Sequence, residues 1–125
     1  MSITPEILKK RTFEFALKTL RTIDGLKKSY ANEIMGKQVM RSATSVGANY
    51  RAAFKAKSTA DFINKLKIVE EESDESVYWL ELIKEHNQIQ DEHFERLLQE
   101  SKELEKIFAA SAITAKNNKY KSLQS

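Results

Sequence analysis

The chain contains no cysteine, one proline and three glycines in 125 residues. Without cysteine, disulfide stapling, thiol catalysis and thiolate metal sites are all excluded. With so few breakers, long uninterrupted helices are expected. No stretch approaches the roughly 18 uncharged residues that a membrane span requires, and Met1 to Glu6 lacks the apolar run of a secretory signal. A cytoplasmic protein with no membrane association is therefore expected. The length fits a single domain with a real core.

Several catalytic and recognition patterns are missing as well. The glycines are scattered, so there is no phosphate-cradling loop and no nucleophile elbow. The two histidines, His86 and His93, have Ile83 and Gln90 three places earlier, where a carboxylate-bridged di-metal bundle would need glutamate. Both read as solvated surface residues. Zinc-finger, helix-turn-helix and RNP-type patterns are absent too. No catalytic residue, cofactor, metal or small-molecule substrate is expected.

What the chain does have is helical periodicity, in four segments. Thr4 is placed to cap a first helix with Pro5 at N1, carrying Ile7, Phe13, Leu17, Leu20 and Ile23 inward and ending near Gly25 to Lys28. Asn32 reads as the cap of a second, with Ile34, Met35, Val39, Ala43, Val46, Tyr50 and Ala53 on its inward stripe. Ser58 and Asp61 resemble a capping box that opens a third, in which Phe62, Leu66, Val69, Ser73, Val77, Leu80 and Lys84 continue to about Glu85. After the polar break Asn87 to Gln90, Phe94, Leu97, Leu98, Ser101, Leu104 and Phe108 define a fourth to about Ala115. Short connectors between helices of about 30 to 40 Å imply an all-α, antiparallel up-down-up-down four-helix bundle. Residues 1–115 form this domain, and 116–125 are expected to be a flexible basic and polar tail.

The second helix is unusual. Between Arg41 and Arg51 it carries Ser42, Ser45 and Asn49 at i, i+3 and i+7, a polar seam beside the apolar stripe. Gly36 and Gly47 each cost a helix about 1 kcal/mol, and close approach of a neighbouring helix would offset this. A seam that satisfies itself by bonding back to helix carbonyls, with Asn49 bridging to a neighbouring helix, stands beside a functional surface as its explanation. The third helix carries five acids between Glu70 and Glu75. These point around most of the helix, so most are solvated. Glu72 is the exception, at the edge of the buried stripe, with Arg41 and Arg51 as its candidate partners.

Charge is distributed unevenly. Residues 1–57 hold 12 Lys/Arg against 4 Asp/Glu, a net +8, whereas residues 58–125 hold 9 against 14, a net −5. Such a division suits mutual attraction within a bundle or between subunits, and it also permits a phosphate-binding surface. The candidate phosphate contacts are Lys9, Lys10, Arg11, Lys18, Arg21, Lys27, Lys28, Lys55 and Lys57.

The run from Arg41 to Ala53, followed by Ala60 to Ser76 and Trp79 to Leu82, resembles the four-helix bundle proteins encoded in intervening sequences of bacterial 23S ribosomal RNA genes. More distantly it is similar to the accessory bundle protein of diversity-generating retroelements. The resemblance covers nearly the whole chain and implies a left-handed up-down bundle, a ring-like homopentamer, no enzymatic activity and, through the retroelement relative, affinity for RNA or DNA. Arg41, Ser42, Ser45, Asn49 and the Glu70 to Glu75 segment match the family pattern. Where many members read Asn-Ile-Ala-Glu-Gly, this chain continues from Asn49 with Tyr50, Arg51, Ala52 and Ala53, so nothing carried by that glutamate and glycine transfers. A scaffold built on the second-helix seam and the acidic third helix is the alternative role.

Overall fold

The computed structural model describes the backbone of residues 3–124 and the side-chain surroundings of residues 3–119. It contains four helices: α1 (Pro5–Asp24), α2 (Tyr30–Ala53), α3 (Thr59–Asn87) and α4 (Glu92–Gln124). The connectors Gly25 to Ser29, Phe54 to Ser58 and Gln88 to Asp91 leave room only for tight reversals, so successive helices run antiparallel. The α2–α3 and α3–α4 seams are the most extensive, α1 lies along α2, and α1 meets α4 only lightly.

Local chemistry explains each start and stop. The side chains of Thr4, Ser29 and Ser58 accept the N–H of the residue three places on, at Ile7, Asn32 and Asp61. The cap of α2 is thus Ser29 and not Asn32. An extended serine just before the first turn can reach that orphan N–H, and Asn32 is released for another task. At the end of α3, Gln88 takes a left-handed conformation at φ 53°. Its N–H bonds to Glu85 and that of Ile89 to Lys84 at 3.0 Å, which closes the helix with a Schellman turn. Helix α4 does not stop near Ala115. It has neither glycine nor proline from there to Gln124, so residues 116–124, read as a tail, have helical backbone.

The buried residues of α3, Leu66, Val69, Ser73, Ser76, Leu80 and Ile83, alternate in steps of three and four, the spacing that keeps one stripe facing a neighbour. Ser76 and Ile83 hold the places that spacing gave to Val77 and Lys84. In α4, Phe94, Leu97, Leu98, Ser101, Leu104 and Phe108 are all buried. Full burial of side chains such as Phe108 and Leu80 stabilises the fold by about 1.5–3 kcal/mol each.

The inward face of α1 differs from the sequence expectation. Leu8, Thr12, Phe15 and Thr19 are buried, while Ile7 and Phe13 are exposed, Phe13 by 57%. The threonine hydroxyls donate to Leu8 and Phe15 carbonyls, both at 2.8 Å. Bonded to their own helix, these hydroxyls can be buried without a partner from another helix. Small residues on α2 accept this helix closely: a Cβ at Gly47 would lie 3.1 Å from Thr12 Oγ1, and one at Gly36 would lie 2.8 Å from Ile23 Cγ2. The neighbour that accounts for both glycines is therefore α1.

Candidate nucleic-acid interface and polar seam

The polar seam of α2 divides when its residues are placed in space. Ser42 is fully buried and faces Ser76 of α3, with 2.9 Å between the hydroxyl oxygens. Ser76 also reaches the Glu72 carbonyl at 2.8 Å and Ser42 the Val39 carbonyl at 3.3 Å. Each hydroxyl proton thus has an acceptor within reach, a carbonyl of its own helix or the partner oxygen, so the pair is satisfied inside the core. Ser45 is only partly buried, and Asn49 donates back to the Ser45 carbonyl at 2.9 Å. Asn49 accordingly does not bridge to a neighbouring helix, since its own helix offers an acceptor within reach.

The two arginines of the segment also part ways. Arg41 donates to Glu72 at 3.1 Å and to Glu75, whose carboxylate also accepts the Trp79 indole N–H at 3.2 Å. Chiefly through the Arg41 hydrogen bond, assisted by Trp79, Glu75 is held below the usual carboxylate range, against a smaller opposing effect of burial. Arg51 pairs with none of these acids. It sits more than two turns further along α2, and its guanidinium carbon lies 5.9 Å from the Phe13 ring centroid on α1.

One partly buried amide pair leaves no pattern in the sequence. Asn32 and Asn87 exchange hydrogen bonds at 2.9 and 2.8 Å, and each also donates to a carbonyl, Lys27 at 2.7 Å and Ile83 at 2.8 Å. The pair joins the start of α2 to the end of α3 and gives both side-chain amides partners in a partly buried setting. An asparagine in the terminal turn of each helix, third in α2 and last in α3, is its only signal. Among the described residues, Ser101 Oγ is the single buried side-chain oxygen or nitrogen without a partner.

The nine candidate cations do not form one surface. Arg11 is committed to α4, bonding Glu100 at 2.5 and 3.0 Å and Glu103 at 3.2 Å, and its hydrogen bond to Glu100 is the main influence raising its already high pKa. Lys10 lies 4.0 Å from Glu14, and Lys9 lies 4.5 Å from the Phe54 ring centroid. Lys18, Arg21, Lys27, Lys28, Lys55 and Lys57 are exposed and, among the described residues, make no ion pair. The first four cluster where α1 ends, and the last two lie at the opposite end of the bundle, beside the first turns of α1.

Two grooves adjoin the first group. One, of about 440 Å³ between α1 and α4, is lined by Lys18, Arg21, His93 and Arg96, with Glu14 and Glu100 on its walls. The other, of about 610 Å³ at the α1–α2 connector, combines Lys27, Lys28 and Lys37 with Leu26, Tyr30 and Met40. No three of the described His, Asp and Glu side chains converge as a metal-binding group would, and no helix among them is long and apolar enough to cross a membrane.

Comparison with known proteins fits this architecture. The family profile of the 23S rRNA-intervening sequence protein matches residues 6–110. A crystal structure at 1.70 Å of a protein of unknown function from the S23 ribosomal protein family of Bacteroides thetaiotaomicron is 36% identical, with a TM-score of 0.78 over 88% of this chain and 98% of that one. No curated protein matches the chain.

Proposed function

The chain belongs to the 23S rRNA-intervening sequence protein family, and from that premise we propose that it is a non-enzymatic, homo-oligomeric accessory protein of the cytoplasm that binds RNA or DNA through the basic surface of α1, α2 and their connectors. The observation that carries this reading is the set of six exposed cations, Lys18, Arg21, Lys27, Lys28, Lys55 and Lys57, that no described acid neutralises. The helix pair is basic because its acids are few, whereas Glu72 and Glu75 of α3 and Glu100 and Glu103 of α4 already serve Arg41 and Arg11. Phosphates are the ligand class that such exposed, unpaired side chains suit.

Electrophoretic mobility shift with structured RNA and with duplex DNA tests this. A protein making six phosphate contacts should lose about a thousandfold in affinity between roughly 50 and 200 mM salt. Changing Lys18, Arg21, Lys27 and Lys28 together to glutamine should weaken binding and flatten the salt dependence. Undetectable binding at low salt, or binding indifferent to salt, rejects the proposal.

Assembly is the second part of the reading. Tyr30, Ile34, Tyr78, Leu82 and Ile113 are exposed apolar side chains that one bundle leaves uncovered. Ser42 is buried against Ser76 within the subunit, so the scaffold alternative would rest on the exposed part of the seam and of α3. Light scattering is expected to report an oligomer, a pentamer by family resemblance, and a monomer at high concentration would remove this part.

A further inference from the structure

Two cation–aromatic pairs cross the α1–α2 seam in opposite senses. Lys9 and Phe13 stand one turn apart on α1, and Arg51 and Phe54 stand three residues apart at the end of α2. Antiparallel packing brings Lys9 Nζ to 4.5 Å from the Phe54 ring centroid and the Arg51 guanidinium carbon to 5.9 Å from that of Phe13. Both rings reach solvent, Phe13 by 57% and Phe54 by 44%. The nearby core is closed without Phe13, by Leu8, Phe15, Tyr50 and Ala53. Two phenylalanines are thus displayed on a surface where Lys10, Lys55 and Lys57 are also exposed. The acids in the vicinity are Glu6, Glu14 and Asp61. Glu14 lies 4.0 Å from Lys10, Asp61 accepts the Lys57 backbone N–H, and Glu6 precedes Lys9 by one turn.

We propose that this patch, Lys9, Phe13, Arg51 and Phe54, is a site for single-stranded nucleic acid, with unpaired bases stacking on the two rings and phosphates meeting Lys10, Lys55 and Lys57. The proposal rests on the nucleic-acid reading above and narrows it to a class of strand. Stacking on a side chain requires an open base face, and in a duplex those faces are covered by neighbouring base pairs. Positive charge interleaved with exposed rings is the combination that sequence-tolerant single-strand sites use. The reciprocal pairing also limits the motion of both rings before a ligand arrives, which lowers the ordering cost of binding. A second copy of the chain is a poorer occupant. It would have to desolvate five cations around two rings, whereas a phosphate backbone neutralises them.

Fluorescence anisotropy with a short oligothymidylate and with a duplex of equal length, at low salt, tests the site. The variants are Phe13→Leu and Phe54→Leu, which keep apolar bulk and remove the aromatic face. Each should weaken single-strand binding about tenfold and leave duplex binding unchanged, with circular dichroism confirming the fold. Should Phe54→Leu unfold, Phe13→Leu decides alone, because that ring is the more exposed. Equal, undiminished binding of both strand forms by the variants overturns the site while leaving the broader reading intact. A fall in particle size by light scattering without loss of affinity overturns it in favour of a subunit contact. Failure of the unaltered chain to bind any nucleic acid removes the broader reading together with the site.

Discussion

The α2–α3 and α1–α4 seams are built on different principles. Along α2–α3 the contact is extensive, and polar groups meet in matched pairs, Ser42 with Ser76 in the core and Asn32 with Asn87 near the end, with Arg41 clasping Glu72 and Glu75 at the rim. Along α1–α4 the helices touch lightly, a groove opens between them, and Arg11 with Glu100 and Glu103 provides a charged clasp. Buried polar pairs are safe only where neither partner can be left alone, so they belong in the seam that does not open. A partly solvated ion pair tolerates separation because water replaces the lost partner.

Forcing the tight seam should give the largest effect. Ser42→Leu places a bulky side chain where there is no exposed surface and breaks the contact with Ser76; a loss of about 3 kcal/mol in denaturant unfolding is expected. Thr44→Leu, exposed on the same helix, should stay within about 0.5 kcal/mol. Similar losses for the two variants would erase the distinction between the seams.

A smaller effect is expected at the loose seam. Arg11→Ala should cost about 1 kcal/mol, and faster amide hydrogen exchange should be confined to α1 and the facing turns of α4. Exchange that quickened equally in α3 would show that α1 and α4 open only with the whole bundle.

The smallest effect concerns acid. Glu75 is depressed in the folded chain, so its contribution is complete at neutral pH and is lost as pH falls below the ordinary carboxylate range and through its folded value. Arg41 stays charged throughout. Between pH 7 and pH 3 the unfolding midpoint of the unaltered chain should therefore fall more than that of Glu75→Gln. Identical falls would show that the rim clasp contributes nothing to stability.

Much of this contrast could be read from the sequence along α2, α3 and α4, where Val39, Val46, Leu66, Leu80, Phe94 and Phe108 announce their stripes by apolarity and spacing. Helix α1 was misjudged because hydropathy treats Thr12 and Thr19 as polar. Bonded to carbonyls of their own helix, they behave as small apolar residues, and Phe13, which spacing by apolar character sends inward, is turned to the surface. The Arg41 clasp was legible, because long opposite charges flanked a buried stripe. The partner of Arg51 was not, since an aromatic contact between helices leaves no charge pattern. The sequence points to Asn32 as the cap of α2, whereas Ser29 takes that role and Asn32 pairs with Asn87, a contact that no local pattern announces.

The amide pair at the end of the bundle has one more consequence. From Ser42 to Asn32 is ten residues back along α2, and from Ser76 to Asn87 is eleven forward along α3. Two chemically distinct pairs therefore agree on one vertical offset. Sliding either helix by a turn, about 5.4 Å, would break both pairs at once. Apolar stripes alone would accept such a slip with little complaint, so the polar pairs act as a gauge, setting which length of one helix is measured against which length of the other.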